Sequence, residues 1–348
     1  MSGTSLDGLD IAYCHFFKIN GAWEFDLIKS LNIPYSKDWK ERLREAVHLP
    51  SIDLLELNVR YGTWLGKQVK NFIDTHKLDV DFISSHGHTV FHQPEKGFTY
   101  QIGDGQRIAV ESSHKVVCDF RKKDVAFGGQ GAPLVPIGDE LLFGKYSACL
   151  NLGGIANVSL KKNKDRLAYD IGLANMPINY LVNQIGMDFD NEGALARLGN
   201  VDKVLLSNLN ELPYYRLPYP KSVGYEWFLE KVVPVLENCN LTLNDKLATI
   251  VEHIAIQIGN ALKSNKIGKG EILITGGGAL NNYLIERIAL YLPRSLSITI
   301  PEKHLIDYKE AIVFALMGVL KLNNETNIFS SVTGASTDVS GGEWFDPQ

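Results

Sequence analysis

The feature that most restricts the fold is a strand–glycine turn–strand pattern that occurs twice. Ala148–Leu152 reads as a strand, Gly153-Gly154 as a turn, and Ile155–Leu160 as a second strand. Near the start, Ser2-Gly3-Thr4-Ser5 reads as the turn that leads into a strand over Leu9–Phe17. The recurrence, ~150 residues apart, predicts a duplicated α/β architecture. The 348 residues suffice for two domains of ordinary size, each with its own core.

Helical spacing fills the segments between. Trp39, Leu43 and Val47 lie four apart, and Leu55, Val59, Val69 and Ile73 share a face, which suits two amphipathic helices. Val80–Ser84 and Val116–Phe120 are short β-rich runs. Thr242 with Asp245 forms a capping-box-like start to a helix over 243–264, whose core face is Leu247, Val251, Ile254, Ile258 and Leu262. Ile272–Thr275 then leads through Gly276-Gly277-Gly278 into a helix from about Asn281, and Glu310–Leu322 is a last long helix that packs on the first half.

Composition removes several function classes. No stretch of ~18 apolar residues is present, so no membrane span is expected. The first lysine is Lys18, so the basic start of a secretory signal is missing. A net charge of −5, with no basic cluster beyond Arg121-Lys122-Lys123, argues against a nucleic-acid groove. Cys14, Cys118, Cys149 and Cys239 are widely spaced and read as free thiols in a reducing cytoplasm.

Three glycine-rich turns invite a chemical reading: 1–8, 151–157 and 275–279. Glycine lets backbone N–H groups approach an anion closely, and the hydroxyls of Ser2, Thr4 and Ser5 add donors. A helix N-terminus behind such a turn favours negative charge. None is a Walker A or a GxGxxG motif. Together they predict a nucleotide held in a cleft between two domains. Asp7 and Asp10 are open between nucleotide-linked acids and turn or cap residues.

At these residues the sequence resembles the anhydro-N-acetylmuramic acid kinases of the sugar kinase/Hsp70/actin superfamily. The likeness runs from Met1-Ser2-Gly3-Thr4-Ser5-Leu6-Asp7-Gly8-Leu9-Asp10 to Val332-Thr333-Gly334-Ala335-Ser336. Its most specific stretch is Asp119–Asp124 running on to Gly128-Gly129-Gln130-Gly131-Ala132-Pro133-Leu134-Val135-Pro136; Ser85–Val90, Gln101–Gly105 and Pro220-Lys221-Ser222 also match. The resemblance implies two duplicated actin-like (ribonuclease H-like) domains, with mixed sheets flanked by helices and a nucleotide cleft between them. Residues 1–141 with 307–348 would form the first domain and 142–306 the second.

The activity implied uses ATP, Mg²⁺ and water on 1,6-anhydro-N-acetylmuramic acid in the cytoplasm. It opens the anhydro bridge and phosphorylates O6, giving N-acetylmuramic acid 6-phosphate. Carried onto this sequence, Asp170 would be the general base. Gly3, Thr4, Ser5, Leu6, Asp7, Gly8, Leu9 and Asp10 would hold phosphates, with Gly153, Gly154, Gly276, Gly277 and Gly278 completing the nucleotide site. His86, Arg121, Asp124, Gln130 and Glu310 would contact the sugar or the transferring group. Relatives suggest a homodimer.

Departures from the family pattern set expectations of their own. Relatives usually carry an apolar strand before the first turn, whereas this sequence opens inside that motif, so support for the phosphate turn is expected to differ. Gly172-Leu173-Ala174-Asn175 stands where Gly-Pro-Gly-Asn is common, so the loop after Asp170 must differ slightly. Asn179 stands where Asp is commoner and His88 where Gln is usual. His86, His88 and His92 invite a metal site by spacing, the alternative being a strand-end loop with one sugar-contacting histidine. Two other functions fit parts of the pattern: a kinase of this fold acting without ring opening, and a nucleotide-gated binding protein.

Overall fold

A computed structural model describes residues 1–3 and 6–348. The chain divides into two units, Met1–Leu142 with Tyr308–Gln348, and Phe143–Asp307.

In the first unit, β1 (Gly8–Ile19) and β2 (Ala22–Pro34) pair antiparallel. Their turn is Asn20-Gly21, both at positive φ (50° and 84°), a backbone that matches the twist of a two-residue hairpin. Helix α1 (Lys37–Glu45) is capped by the Ser36 hydroxyl, and α2 (Ser51–His76) buries Leu54, Leu57, Tyr61, Leu65 and Phe72. Strand β3 (Ile83–Ser84) is followed by the hairpin of β4 (His88–Gln93) and β5 (Phe98–Ile102), then by α3 (Gly105–Ser112). Strand β6 (Val116–Cys118) lies between β3, to which it is parallel, and the C-terminal strand Glu343–Phe345. The run Val116–Phe120 is strand only as far as Cys118, because Asp119 turns the backbone to φ 60° and Phe120 opens α4 (Phe120–Ala126).

Helices α2 and α3 approach closely because α2 carries Gly62 and Gly66 one turn apart. A Cβ at Gly62 would stand 2.7 Å and 2.8 Å from the Asp104 backbone. Gly62→Ala is therefore expected to destabilise the protein by about 1–3 kcal/mol through overpacking, outweighing a gain of about 1 kcal/mol in helix propensity. A thermal midpoint equal to or above that of the parent would contradict this.

The second unit is built on one five-stranded sheet. Strands β7 (Ala148–Leu152), β8 (Ile155–Lys162) and β9 (Asp165–Leu173) form an antiparallel meander. After α6 (Asn175–Asn183) and further helices, β10 (Gly270–Thr275) and β11 (Leu296–Thr299) add on the other side of β7, in parallel. The order β11-β10-β7-β8-β9 is the ribonuclease H-like arrangement. β7 sits at its centre and buries Ala148, Cys149, Leu150 and Leu152, as a strand covered on both faces does. The helix Leu243–Ser264 starts where the Thr242 hydroxyl accepts the Asp245 N–H, and its apolar face joins this core.

The last long helix is Lys303–Leu322, starting ahead of the expected Glu310. Of its first five residues Lys303, His304 and Asp307 are exposed and only Ile306 is buried, so the apolar signal there is too short to mark a helix start in the sequence. Among the described residues no helix is long and apolar enough to cross a membrane.

Candidate functional site

Asp170 lies on β9 directly opposite Asn157 of β8, next to a bulge between Ala156 and Asn157. The Asn157 amide donates to Asp170 Oδ1. Its own oxygen accepts from Asn151 Nδ2 at 3.4 Å, which fixes which way the amide points. The Val223 N–H donates to Asp170 Oδ2 at 3.0 Å. Three bonds hold the Asp170 backbone and its surroundings: Asp170 N–H to Lys221 O (3.1 Å), Tyr214 hydroxyl to Asp170 O (2.7 Å) and Lys221 Nζ to Tyr214 O (3.2 Å). Burial pushes the Asp170 pKa up from the ordinary aspartate value, while the Val223 and Asn157 hydrogen bonds and the Lys221 charge pull it down.

Both glycine turns of the second unit gather beside this strand end. The Gly153 carbonyl accepts from Asn175 N–H at 3.0 Å, and the Gly154 carbonyl from Ala174 (2.8 Å) and Met176 (3.1 Å). Asn175 Nδ2 also donates to Leu152 O at 3.0 Å. Gly276 sits at φ 81°, where an added Cβ would lie 2.7 Å from Asn151 Oδ1, and one on Gly278 would lie 2.7 Å from Leu152 Cβ. Gly277–Leu280 is a 3₁₀ turn, and Asn281 caps the following helix, so the glycines precede the helix by a turn. Ala174 takes φ −127° and ψ −99°, outside the broad β and right-handed helical regions, so the backbone after Asp170 is irregular where alanine replaces the common glycine.

The first unit assembles a second cluster. Arg121 Nε and Nη2 both reach His86 Nε2, at 3.1 and 2.9 Å. Arginine has no acceptor, so His86 Nε2 must accept and its Nδ1 carries the hydrogen donated to Gly87 O at 3.0 Å. Burial, reinforced by the Arg121 charge, drives the His86 pKa well down and keeps the ring neutral. Burial lowers the Arg121 pKa to about 10, so the guanidinium stays charged at neutral pH. Arg121 Nη1 also donates to Gly131 O at 2.6 Å.

Asp124 ties the same turn down. Its Oδ2 accepts the Gly131 N–H and its Oδ1 the Thr333 hydroxyl, each at 2.7 Å. Gln130 is exposed and donates its backbone N–H to Thr333 O at 2.8 Å. Glu310 keeps an accessible surface, yet the surrounding protein raises its pKa by desolvation, against the Met1 ammonium and Arg121.

Of the first turn, Thr4 and Ser5 lie outside the described residues. Leu6 and Leu9 point into the apolar core, Asp7 is exposed, and Asp10 Oδ1 accepts from Asn32 at 2.7 Å. A Cβ on Gly8 would meet Ile33 O at 2.6 Å, so only glycine fits there. Ser2 is anchored by the Tyr35 hydroxyl (2.8 Å) and by His88 Nδ1 (3.2 Å). His92 bonds Thr99 at 3.0 Å, and among the described residues no group of three His, Cys, Asp or Glu is placed to hold a metal ion.

Asn157 and Val223 are the partners that sequence reasoning passed over. Asn157 was visible only as part of a glycine turn, and its tie to Asp170 depends on strand register. Val223 contributes a backbone N–H, which has no residue signature.

The anhydro-N-acetylmuramic acid kinase family model matches residues 1–347. A relative of that name in Sulfurovum sp. (strain NBC37-1) is 34% identical over 350 residues, covering 96% of this chain and 94% of its own. One in Aliivibrio fischeri (strain ATCC 700601 / ES114) is 35% identical, with 98% and 96% covered. Another in Francisella tularensis subsp. novicida (strain U112) is 36% identical, with 99% and 96% covered.

Proposed function

This chain belongs to the anhydro-N-acetylmuramic acid kinase family, whose members are kinases, and we propose that it hydrolytically opens and phosphorylates 1,6-anhydro-N-acetylmuramic acid. Water adds to the anomeric carbon and loses a proton to Asp170. The C1–O6 bond breaks, and O6 takes the γ-phosphoryl group of ATP. The products are N-acetylmuramic acid 6-phosphate and ADP.

The observation that carries this reading is the Asp170 carboxylate, oriented through both oxygens by Asn157 and Val223 and raised in pKa by burial. A base must be held within reach of the water it activates and must sit nearer neutrality than a free aspartate. Arg121, forked and charged, suits a carboxylate or phosphoryl oxygen, with neutral His86 as its orienting partner. Gly153, Gly154 and Gly277, where an added Cβ would meet nothing closer than 3.6 Å, leave room for close approach of a nucleotide, while Gly276 and Gly278 let their turn pack on Asn151 and Leu152. Mg²⁺, when bound with ATP, neutralises phosphoryl charge. It asks for only one or two protein carboxylates, and Asp7 and Asp10 of the first turn fit that demand.

The test is mass spectrometry of a reaction in ¹⁸O-water with magnesium ATP and the anhydrosugar. One heavy oxygen at the anomeric carbon of a phosphorylated product is expected. A phosphorylated product that still holds its anhydro ring, or carries no heavy oxygen, would indicate a kinase acting without ring opening.

A further inference from the structure

The first turn is held by a buried chain of hydroxyls that the proposed chemistry does not use. Ser2 bridges Leu9 in the antiparallel sense, so the two ends of the turn meet there. The far end is fixed by β1, where Gly8 and Leu9 pair with Pro34 and Ile33 of β2. Tyr35, the residue after β2, reaches both ends. Its N–H donates to Asp7 O at 3.4 Å and its hydroxyl to Ser2 Oγ at 2.8 Å.

Hydrogen counting orders the rest of the chain. A hydroxyl has one hydrogen, and Tyr35 gives its own to Ser2. At its 2.6 Å contact with Tyr61 of α2 the Tyr35 oxygen must therefore accept, and Tyr61 donates. Ser2 Oγ accepts from Tyr35, which leaves its own hydrogen for His88 Nδ1 of β4, 3.2 Å away. Burial holds the His88 pKa down at about 4, so the ring is neutral at physiological pH and carries one N–H. With Nδ1 accepting, that hydrogen sits on Nε2.

All four side chains are buried, at 5% exposure or less, so a broken link leaves a polar group without water to replace its partner. The Ser2 hydrogen points inward, to His88. That differs from the sequence expectation, in which the Ser2 hydroxyl adds a donor for an anion. What this hydroxyl does is fix the direction of the backbone that enters the turn. A turn fixed at both ends loses little freedom when an anion binds its N–H groups.

We infer that His88 is a positioning residue for the phosphate turn: through the Ser2 hydroxyl it holds one end of that turn, and Ser2 is an anchor and not a phosphate ligand. This rests on the reading that the first turn holds the phosphates of ATP. Asparagine carries Oδ1 where histidine carries Nδ1, so His88→Asn keeps the acceptor and His88→Leu removes it.

Two measurements on the full chain test this. In protein labelled with ¹⁵N-histidine, the His88 ring is expected to show its hydrogen on Nε2. A hydrogen on Nδ1 would free the Ser2 hydroxyl for a phosphate and overturn the anchor. Calorimetric titration with magnesium ATP and with adenosine gives the second readout. His88→Leu is expected to weaken ATP binding by about tenfold and leave adenosine unchanged, and His88→Asn to bring ATP back within about threefold of the parent. Ser2→Ala should weaken ATP as His88→Leu does, and the double variant no further, because both changes remove one anchor. Losses that multiply in the double variant would give Ser2 a phosphate contact of its own and overturn the inference. Unchanged ATP affinity in His88→Leu would overturn it too, as would equal losses for ATP and adenosine. A parent that binds ATP no better than adenosine would remove the phosphate reading of the turn, while the ring nitrogens still decide the hydroxyl chain.

Discussion

Replacing Asp170 by Asn is expected to lower sugar-dependent ATP turnover by about 10²–10⁴-fold, the usual contribution of a positioned general base. Asparagine keeps the volume but cannot accept the proton from water. It also presents an N–H₂ group to one of the donors that now meet the carboxylate, Asn157 Nδ2 or Val223 N–H. Nucleotide binding should survive, because the Asp170 carboxylate bonds Asn157 and Val223 and none of the glycines at 153–154 and 276–278. The pH dependence has a definite sign. Asp170 works deprotonated, so turnover rises with pH through its pKa, and burial places that acid limb above the ordinary aspartate value. Losing the Asn157 hydrogen bond, which lowers that pKa, should move the limb further up. Initial rates of the parent and of Asp170→Asn with saturating anhydrosugar, measured across pH, provide the check. Full activity in Asp170→Asn would remove it from the base role.

The second large effect is on stability. Asp124 is fully buried, and its two oxygens hold the Gly131 N–H and the Thr333 hydroxyl. Hydrogen bonds to a charged group contribute roughly 1.5–3 kcal/mol each. Asp124→Ala removes both and leaves two buried donors unmet, so a loss of about 3–6 kcal/mol is expected. Asp124→Asn should recover only part of it, because its N–H₂ group would oppose one donor. Chemical denaturation of the parent and both variants measures this. If Asp124→Ala were as stable as the parent, the carboxylate would not be what holds the 128–131 turn.

The same residues show where sequence reasoning reaches and where it stops. The helix Leu243–Ser264 was legible because its cap and its apolar period lie in neighbouring residues. β7, β8 and their glycine turn were legible for the same reason, but the central, buried place of β7 in its sheet was not. The shortened strand at Val116–Cys118 was not, because Asp119 adopts a left-handed backbone that tertiary contacts must stabilise. Nor was the polar start of the last long helix.

Asp170 could be singled out through a family likeness, but not the groups that orient it. Asn157 meets it through a bulged strand register, and Val223 through a loop that returns from far along the chain. His86 and Arg121 are 35 residues apart, and Asp124 and Thr333 are 209 apart. The sequence by itself determined the elements whose signals are local, in periodicity, capping and glycine turns. The tertiary structure alone decided proton placement, carboxylate orientation and edge pairing, because those depend on distances between atoms that only folding brings together.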